Sequence, residues 1–363
     1  MKKILAIALA CLMTIATLSV AFAEEAVDLR TLTLDEIIAA AKAQGEVQSV
    51  GMPNEWTHWD YSWEGIKETY GLDHGDVDMS SGEEIAIFVA EKDDPTKDIG
   101  DVGFAFTETA MAEDCLQPYK VSCWDSIPDW AKDPEGNWTV TYTGTTCFII
   151  NDAQYDGEIP TTWAELKDSD LVVAMGNVIG GASSQANILA CAIAMGGGFD
   201  NVQPGIDYFV ELAKAGRITP LDGQMADMES GEVVCHCGRF DFNGTDWAAQ
   251  LNAKAQDGLH LTTVIPQDGA ITTGYALILN KWAPHPEAAA LTLEYMLSEE
   301  GQIDRAYGGA RPIRTDIEIP ADAPVLGNEW YQNTTAPESA AALAAACAQI
   351  STLWEEEVVP YIG

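Results

Sequence analysis

The chain has 363 residues, with 18 Lys+Arg against 57 Asp+Glu and a formal charge of −39. Nucleic-acid binding and docking on anionic lipid both need a basic footprint, and the only basic cluster is Lys2 with Lys3, so both are excluded. With 47% hydrophobic and 21% charged residues the composition is that of a globular protein, so the acids describe either a solubilising surface or one that attracts cations.

Lys2 and Lys3, the apolar run 4–22 and Ala21-Phe22-Ala23 before Glu24 read as a secretory signal peptide over residues 1–23. Ala8-Leu9-Ala10-Cys11 is a weaker, lipobox-like alternative that would leave a lipid anchor on Cys11. No later stretch approaches the roughly 18 apolar residues of a spanning helix. The expected location is therefore the periplasm or the outer face of the cell envelope. Losing Lys2 and Lys3 makes the exported chain more negative still.

The remaining length suits about two domains. Thr33 and Glu36 form a capping box, Leu34, Ile37, Ile38 and Ala41 follow helical spacing, and Gly45 stops the helix. A strand over 46–50 ends at Gly51. A helix follows, with Trp59, Trp63, Ile66 and Tyr70 on its buried face. Next come a short strand around 77–79, a helix capped at Ser81 and running to about Lys92, a strand over 99–103 and another helix. Strands alternating with helices predict a parallel sheet covered on both faces.

The pattern breaks at 138–151, a β-rich run too long for one ordinary strand and read as strands crossing between two lobes. A second α/β stretch follows, with strands over 171–175 and 232–237 and helices over 183–195, 205–215 and 245–255. Another β-rich run, 270–280, precedes the final helices. The fold class is thus α/β with an inserted second lobe. The first lobe spans 24–147 and 277–363, and the second spans 148–276.

Seven cysteines follow the leader, an odd number and too few for a disulfide scaffold. Cys191 and Cys347 sit in apolar helical runs and read as core, and Cys115 with Cys123 is the first pair to test for a bridge. In Cys235-His236-Cys237 the cysteines share one strand face and the histidine the other, with one face partly exposed. Such neighbours do not converge on one metal. No phosphate-loop, nucleophile-elbow or zinc-protease motif is present, so neither metal nor cofactor is expected and no residue is nominated as a nucleophile.

Several segments are similar to the bacterial extracellular solute-binding proteins of ABC importers, in the branch with iron, polyamine, thiamine and phosphonate binders. They are Pro160 to Leu166 (PTTWAEL), Val264 to Gly269 (VIPQDG), Gly274 to Lys281 (GYALILNK), Ala283 to Ala289 (APHPEAA), Ser298 to Gln302 (SEEGQ) and Arg311 to Arg314 (RPIR). The resemblance implies a two-lobed type II periplasmic-binding-protein-like fold with a hinged cleft. It also implies a small-molecule ligand, a membrane permease as partner, a monomer and no catalysis. The ferric-ion binders of this branch use adjacent tyrosines, and this chain has no Tyr-Tyr. Two rival readings stay open. A secreted hydrolase requires a nucleophile–base set, and a sensor docks on a receptor instead of a permease.

In open α/β sheets, ligands sit beyond the carboxyl ends of strands, near helix N-termini. That rule nominates Pro53 and Asn54, then Ser80 and Ser81, then Asp101 in the first lobe, with Asn54 and Ser81 doubling as helix caps. In the second lobe it nominates Ser183 and Ser184 behind a Gly-rich turn, then Asp241 and Asn243 after the strand containing Cys235. Asp241 suits a cation or amine and Asn243 a polar group. Tyr275 lies on the return crossover, and Arg311 suits a carboxylate or phosphate. Trp56 and Trp247 are the stacking candidates, whereas Trp59 and Trp63 belong to the core. A cationic amine and a phosphorylated or carboxylated anion both remain open as the ligand class, with a metal ion such as iron a third, disfavoured by the missing Tyr-Tyr.

Overall fold

A computed structural model describes residues 27–362; the signal-peptide segment and Cys11 lie outside the described residues. The Thr33–Glu36 capping box starts α1 (Leu34–Gln44), and Gly45 at φ 79° ends it. Then follow β1 (Glu46–Val50), α2 (Trp59–Tyr70), β2 (Asp73–Val77), α3 (Ser81–Ala90), β3 (Ile99–Gly103) and α4 (Thr107–Ala112). β1 pairs in parallel with both β2 and β3, as the alternation requires. β2 stops at Val77, short of Met79, because its partner strand ends at Val50. Ser80, not Ser81, caps α3: the Glu83 carboxylate accepts from Ser80 N and Oγ. Ser81 is the first helical residue, and its hydroxyl accepts from Gly103 N at 3.0 Å. Asn54 caps nothing either, since α2 starts behind His58.

The run predicted as several crossing strands is a single 14-residue strand, β4 (Trp138–Asn151). Two register shifts, between Val140 and Tyr142 and between Cys147 and Ile149, let so long a strand bend. The second lobe adds α5 (Trp163–Asp168), β5 (Val173–Ala174), α6 (Ala182–Ala194), α7 (Gln203–Lys214), α8 (Met225–Ser230), β6 (Cys235–Phe240), α9 (Asp241–Asn252) and β7 (Leu261–Val264). β8 (Ala270–Leu279) then pairs antiparallel with β3 and with the first half of β4, while the second half of β4 pairs with β6 and β7. The main path is β2-β1-β3-β8-β4-β6-β5. β8 and β4 therefore join the strands β2-β1-β3 to β6 and β5.

The chain closes with α10 (Pro286–Met296), α11 (Glu299–Tyr307), β9 (Arg311–Pro312), β10 (Thr334–Thr335) and α12 (Ala340–Leu353). α12 packs both on the 104–106 turn and α4 and on α6, and Trp354 meets Phe209 of α7 edge-on at 5.6 Å.

Trp59, Trp63, Cys191 and Cys347 are buried, as their helical spacing predicts. Cys115 and Cys123 are free, with thiols that donate to separate carbonyls, Ala110 O and Leu297 O. Cys235 and Cys237 do share a face, with Sγ atoms 3.6 Å apart. The expected exposure of one face fails, because His236 is buried edge-on to Trp247. That burial pushes the His236 pKa down to about 3, so the ring is neutral. Among the described residues no helix is long and apolar enough to cross a membrane, and no cluster of His, Cys, Asp or Glu is arranged to hold a metal.

Candidate ligand-binding cleft

The loops after β1 and β2 face the turn before α6 and the first turns of α9 across one cleft of about 890 Å³. This is the strand-end location that α/β topology favours. Pro53, Asn54, Trp56, Ser80, Ser81, Asp101, Ser183, Asn243 and Tyr275 line it, together with Trp247. The first wall is built on backbone strain. Thr57 and His58 both adopt positive φ, 49° and 51°. The buried Arg305 holds that turn by donating to Thr57 Oγ1 (2.7 Å), His58 O (2.9 Å) and Ser62 Oγ (2.9 Å), with its guanidinium 3.8 Å over the Trp59 ring.

Three nominated residues lie outside the cleft lining. The Ser184 hydroxyl donates to Gly238 O at 3.3 Å, which turns it toward the strand behind α6. Asp241 belongs to the first turn of α9, not to a loop, because β6 runs on to Phe240. Its carboxylate accepts from Thr145 N (2.7 Å) and Tyr331 OH, and burial pushes its pKa up to about 6. Arg311 stacks on Tyr331 and donates to Leu326 O and Asn328 Oδ1, which fixes it on β9.

A hydrogen-bonded relay runs through the first wall. Trp56 Nε1 donates to Tyr142 OH (2.9 Å), and Tyr142 donates to Asp101 Oδ2 (2.6 Å). Trp56 also meets Phe242 and Tyr275 edge-on at 5.3 and 5.7 Å, so it joins the two lobes. Asp101 lies within β3 and not after it, and Oδ1 of its side chain has no partner. Burial pushes the Asp101 pKa up to about 8. Glu84 on α3 is buried beside it, accepts from Asp101 N at 2.8 Å, and is raised well above the carboxylate range by the same desolvation. Asp78 is raised too, by burial and by Asp76 and Glu55.

From the second lobe, Arg239 reaches the cleft 5.7 Å from the Trp247 ring and 3.6 Å from Asp222. Burial lowers its pKa. Across the cleft His58 Nε2 lies 3.0 Å from Asp246 Oδ1, which raises the His58 pKa.

Glu84, Tyr142, Arg239, His58 and Asp246 were not nominated from the sequence. Arg239 was not legible by alternation: a register shift in β6 between His236 and Arg239 turns it away from the face of Cys235 and Cys237 and onto Trp247, beside His236. Glu84 reads as an ordinary helical acid, and only the structure brings α3 over β3.

Residues 94–332 match the family described as bacterial extracellular solute-binding protein. This chain belongs to that family. The putrescine/agmatine-binding protein of Pseudomonas aeruginosa is 24% identical over 202 residues, a match covering 48% of this chain and 54% of that relative. This chain thus spans about half the length of that curated relative. Among solved structures, the periplasmic binding protein AfuA of Actinobacillus pleuropneumoniae, with exogenous fructose-6-phosphate bound, superposes with a TM-score of 0.69 at 18% identity, covering 86% of this chain and 98% of that one. Iron-bound HitA of Pseudomonas aeruginosa superposes at 0.68 and 16% identity, with the same coverage. At these identities the likeness establishes the fold, two-lobed and of type II.

Proposed function

We propose that this chain is the exported solute-binding component of an ABC importer, and that it captures a small organic amine between its lobes for delivery to a membrane permease. Domain boundaries within β4 and β8, near 147 and 276, suit the hinge this function needs, and no step of catalysis is required of it. One observation carries the ligand class. Seven acidic residues line the cleft, Glu84 and Asp101 among them held protonated by burial, against Arg239 and His58. Field lines of one sign are focused in such a cleft, and aromatic rings at Trp56, Trp247 and Tyr275 suit an ammonium's alkyl chain. The similarity to a protein named for putrescine and agmatine supports the same class.

An anionic solute is the second reading. Arg239 and Ser183 favour it, because both line the cleft beside the N-terminus of α6, which lacks a side-chain cap. Thermal-shift screening separates the two. A ligand at a hundredfold excess over its Kd stabilises the folded state by about 2.7 kcal/mol. Putrescine, agmatine or spermidine is expected to raise Tm. A rise with sugar phosphates alone transfers the assignment to the anionic class, and no rise with any small solute removes the binding-protein reading.

A further inference from the structure

Glu84 and Asp101 are 1% and 2% exposed, yet both line the cleft. The ion pairs at the cleft join His58 to Asp246 and Asp60, and Arg239 to Asp222, and they leave the Glu84 and Asp101 carboxyls without a cation. Asp101 has one oxygen satisfied by Tyr142 and the other with no partner. The Glu84 carboxyl fills a slot that exists only because residues 51 and 100 are glycines; a Cβ at either would collide with it. Gly51 also sits at φ 69°, where a side chain is strained. The fold has therefore made room for a second buried acid next to the first.

The charged groups around the pair do not neutralise it. Asp76 and Asp78 face it from β2 and the loop that follows, and both oppose ionisation. Tyr142 on β4 donates to Asp101, and Tyr275 on β8 lies close by. Arg305 on α11 acts on Asp101 only at a distance, because its hydrogen bonds go to Thr57, His58 and Ser62. Arg239 on β6 faces Asp78 and Tyr275 from the other lobe. A carboxylate removed from water without a counter-charge takes up a proton. Burial and mutual repulsion raise both groups in this way.

We propose that the Glu84–Asp101 pair is the subsite for the ligand's ammonium group, and that it exchanges a proton for that charge. The empty pair holds the proton. When R–NH3+ is brought against Asp101, the carboxylic O–H bond ionises and one proton leaves to solvent for each cation bound. The ammonium keeps its own proton, so charge and atoms balance. The ligand then supplies the counter-charge that the fold omits, and the unpartnered Asp101 oxygen gains its donor. This inference rests on the amine reading of the cleft.

Calorimetric titration of the intact protein with putrescine, which is fully protonated near neutrality, tests it in two buffers of different ionisation enthalpy. The expected result between pH 6 and 7.5 is release of about one proton per ligand and a Kd that tightens about tenfold per pH unit. Asp101→Asn should abolish the release; if that variant does not fold, the wild-type buffer comparison together with His58→Gln decides. His58→Gln should keep the release, which separates the pair from the other titrating group at the cleft. Putrescine binding with no proton released, or release that vanishes in His58→Gln, overturns the exchange and leaves the amine reading intact. Failure of putrescine, agmatine and spermidine to bind at millimolar concentration overturns both.

Discussion

His58 Nε2 lies 3.0 Å from Asp246 Oδ1, and the two residues come from opposite walls of the cleft. His58 is held in place from behind: its ring stacks on Tyr61 at 4.8 Å, and its carbonyl accepts from Arg305. Asp246 is held by Gln250. When the ring is protonated, the pair bridges the lobes as an imidazolium–carboxylate contact. Because the folded His58 pKa lies above its ordinary 6.5, the contact contributes fully below that value and is lost as pH rises through the folded one. Asp246→Asn is expected to cost about 1 kcal/mol of stability at pH 6, with the two proteins converging toward alkaline pH as the imidazole loses its proton. Calorimetric unfolding across that range checks it, and a difference that grows with pH would refute the bridge.

Asp101 makes a prediction of the same pH sense for the ligand-free protein, but from burial without a counter-charge instead of from an ion pair. Its folded value, about 8, lies above the ordinary 3.8, so the folded chain keeps a proton that the unfolded chain releases. Its contribution is full below about pH 4 and declines as pH rises to about 8. Asp101→Asn, uncharged at every pH, removes that decline. Measured by denaturant unfolding at pH 5 and pH 8, the variant should gain on the wild type as pH rises, while its affinity for an amine falls. A penalty equal at both pH values would show that Asp101 is ionised in the empty cleft.

How much of this was legible in the sequence depends on whether the signal is local. The Thr33–Glu36 box, the left-handed Gly45 stop and the Trp59–Trp63 stripe are set by neighbours within a turn or two, and they fold as read. The strand-end rule brought Pro53, Asn54, Ser80 and Ser183 to one cleft, because topology alone fixes where those loops point. It misplaced Ser184 and Asp241, and Arg311, nominated from its loop, also lies outside. Ending β6 at 237 in place of Phe240 turned a helix residue into a loop residue, and nothing local shows that Tyr331 claims the Asp241 and Arg311 side chains. Glu84 was invisible for the converse reason: its role comes from Gly51, just past β1, and Gly100 in β3.

Tyr142 should matter for both stability and binding. It is fully buried between Trp56 Nε1 and Asp101 Oδ2. Tyr142→Phe keeps the ring stack on Tyr275 but leaves an indole N–H and a carboxyl oxygen without partners. An unsatisfied buried group costs about 1–3 kcal/mol. We expect a lower Tm and a Kd weakened about tenfold, with an altered Trp56 environment in tryptophan fluorescence. A variant as stable and as tight as the wild type would show that the relay is incidental.

Gly103 offers a test of lobe closure that spares each lobe. It ends β3 in the first lobe and lies against Ala182, the first residue of α6 in the second. Its φ of −55° is open to any residue, so the requirement for glycine is one of space: a Cβ there would overlap the Ala182 Cβ. Gly103→Ala keeps the backbone donor to Ser81 Oγ and adds one methyl group at the meeting of the lobes. Overpacking of this kind costs about 1–3 kcal/mol, here charged to closure because the lobes can part to relieve it. The ligand-free Tm should move little, while affinity falls about ten- to hundredfold and dissociation quickens. Small-angle scattering of the saturated variant should give a larger radius of gyration than the saturated wild type. Unchanged affinity together with an unchanged radius would show that these two residues do not meet in the closed, ligand-bound form.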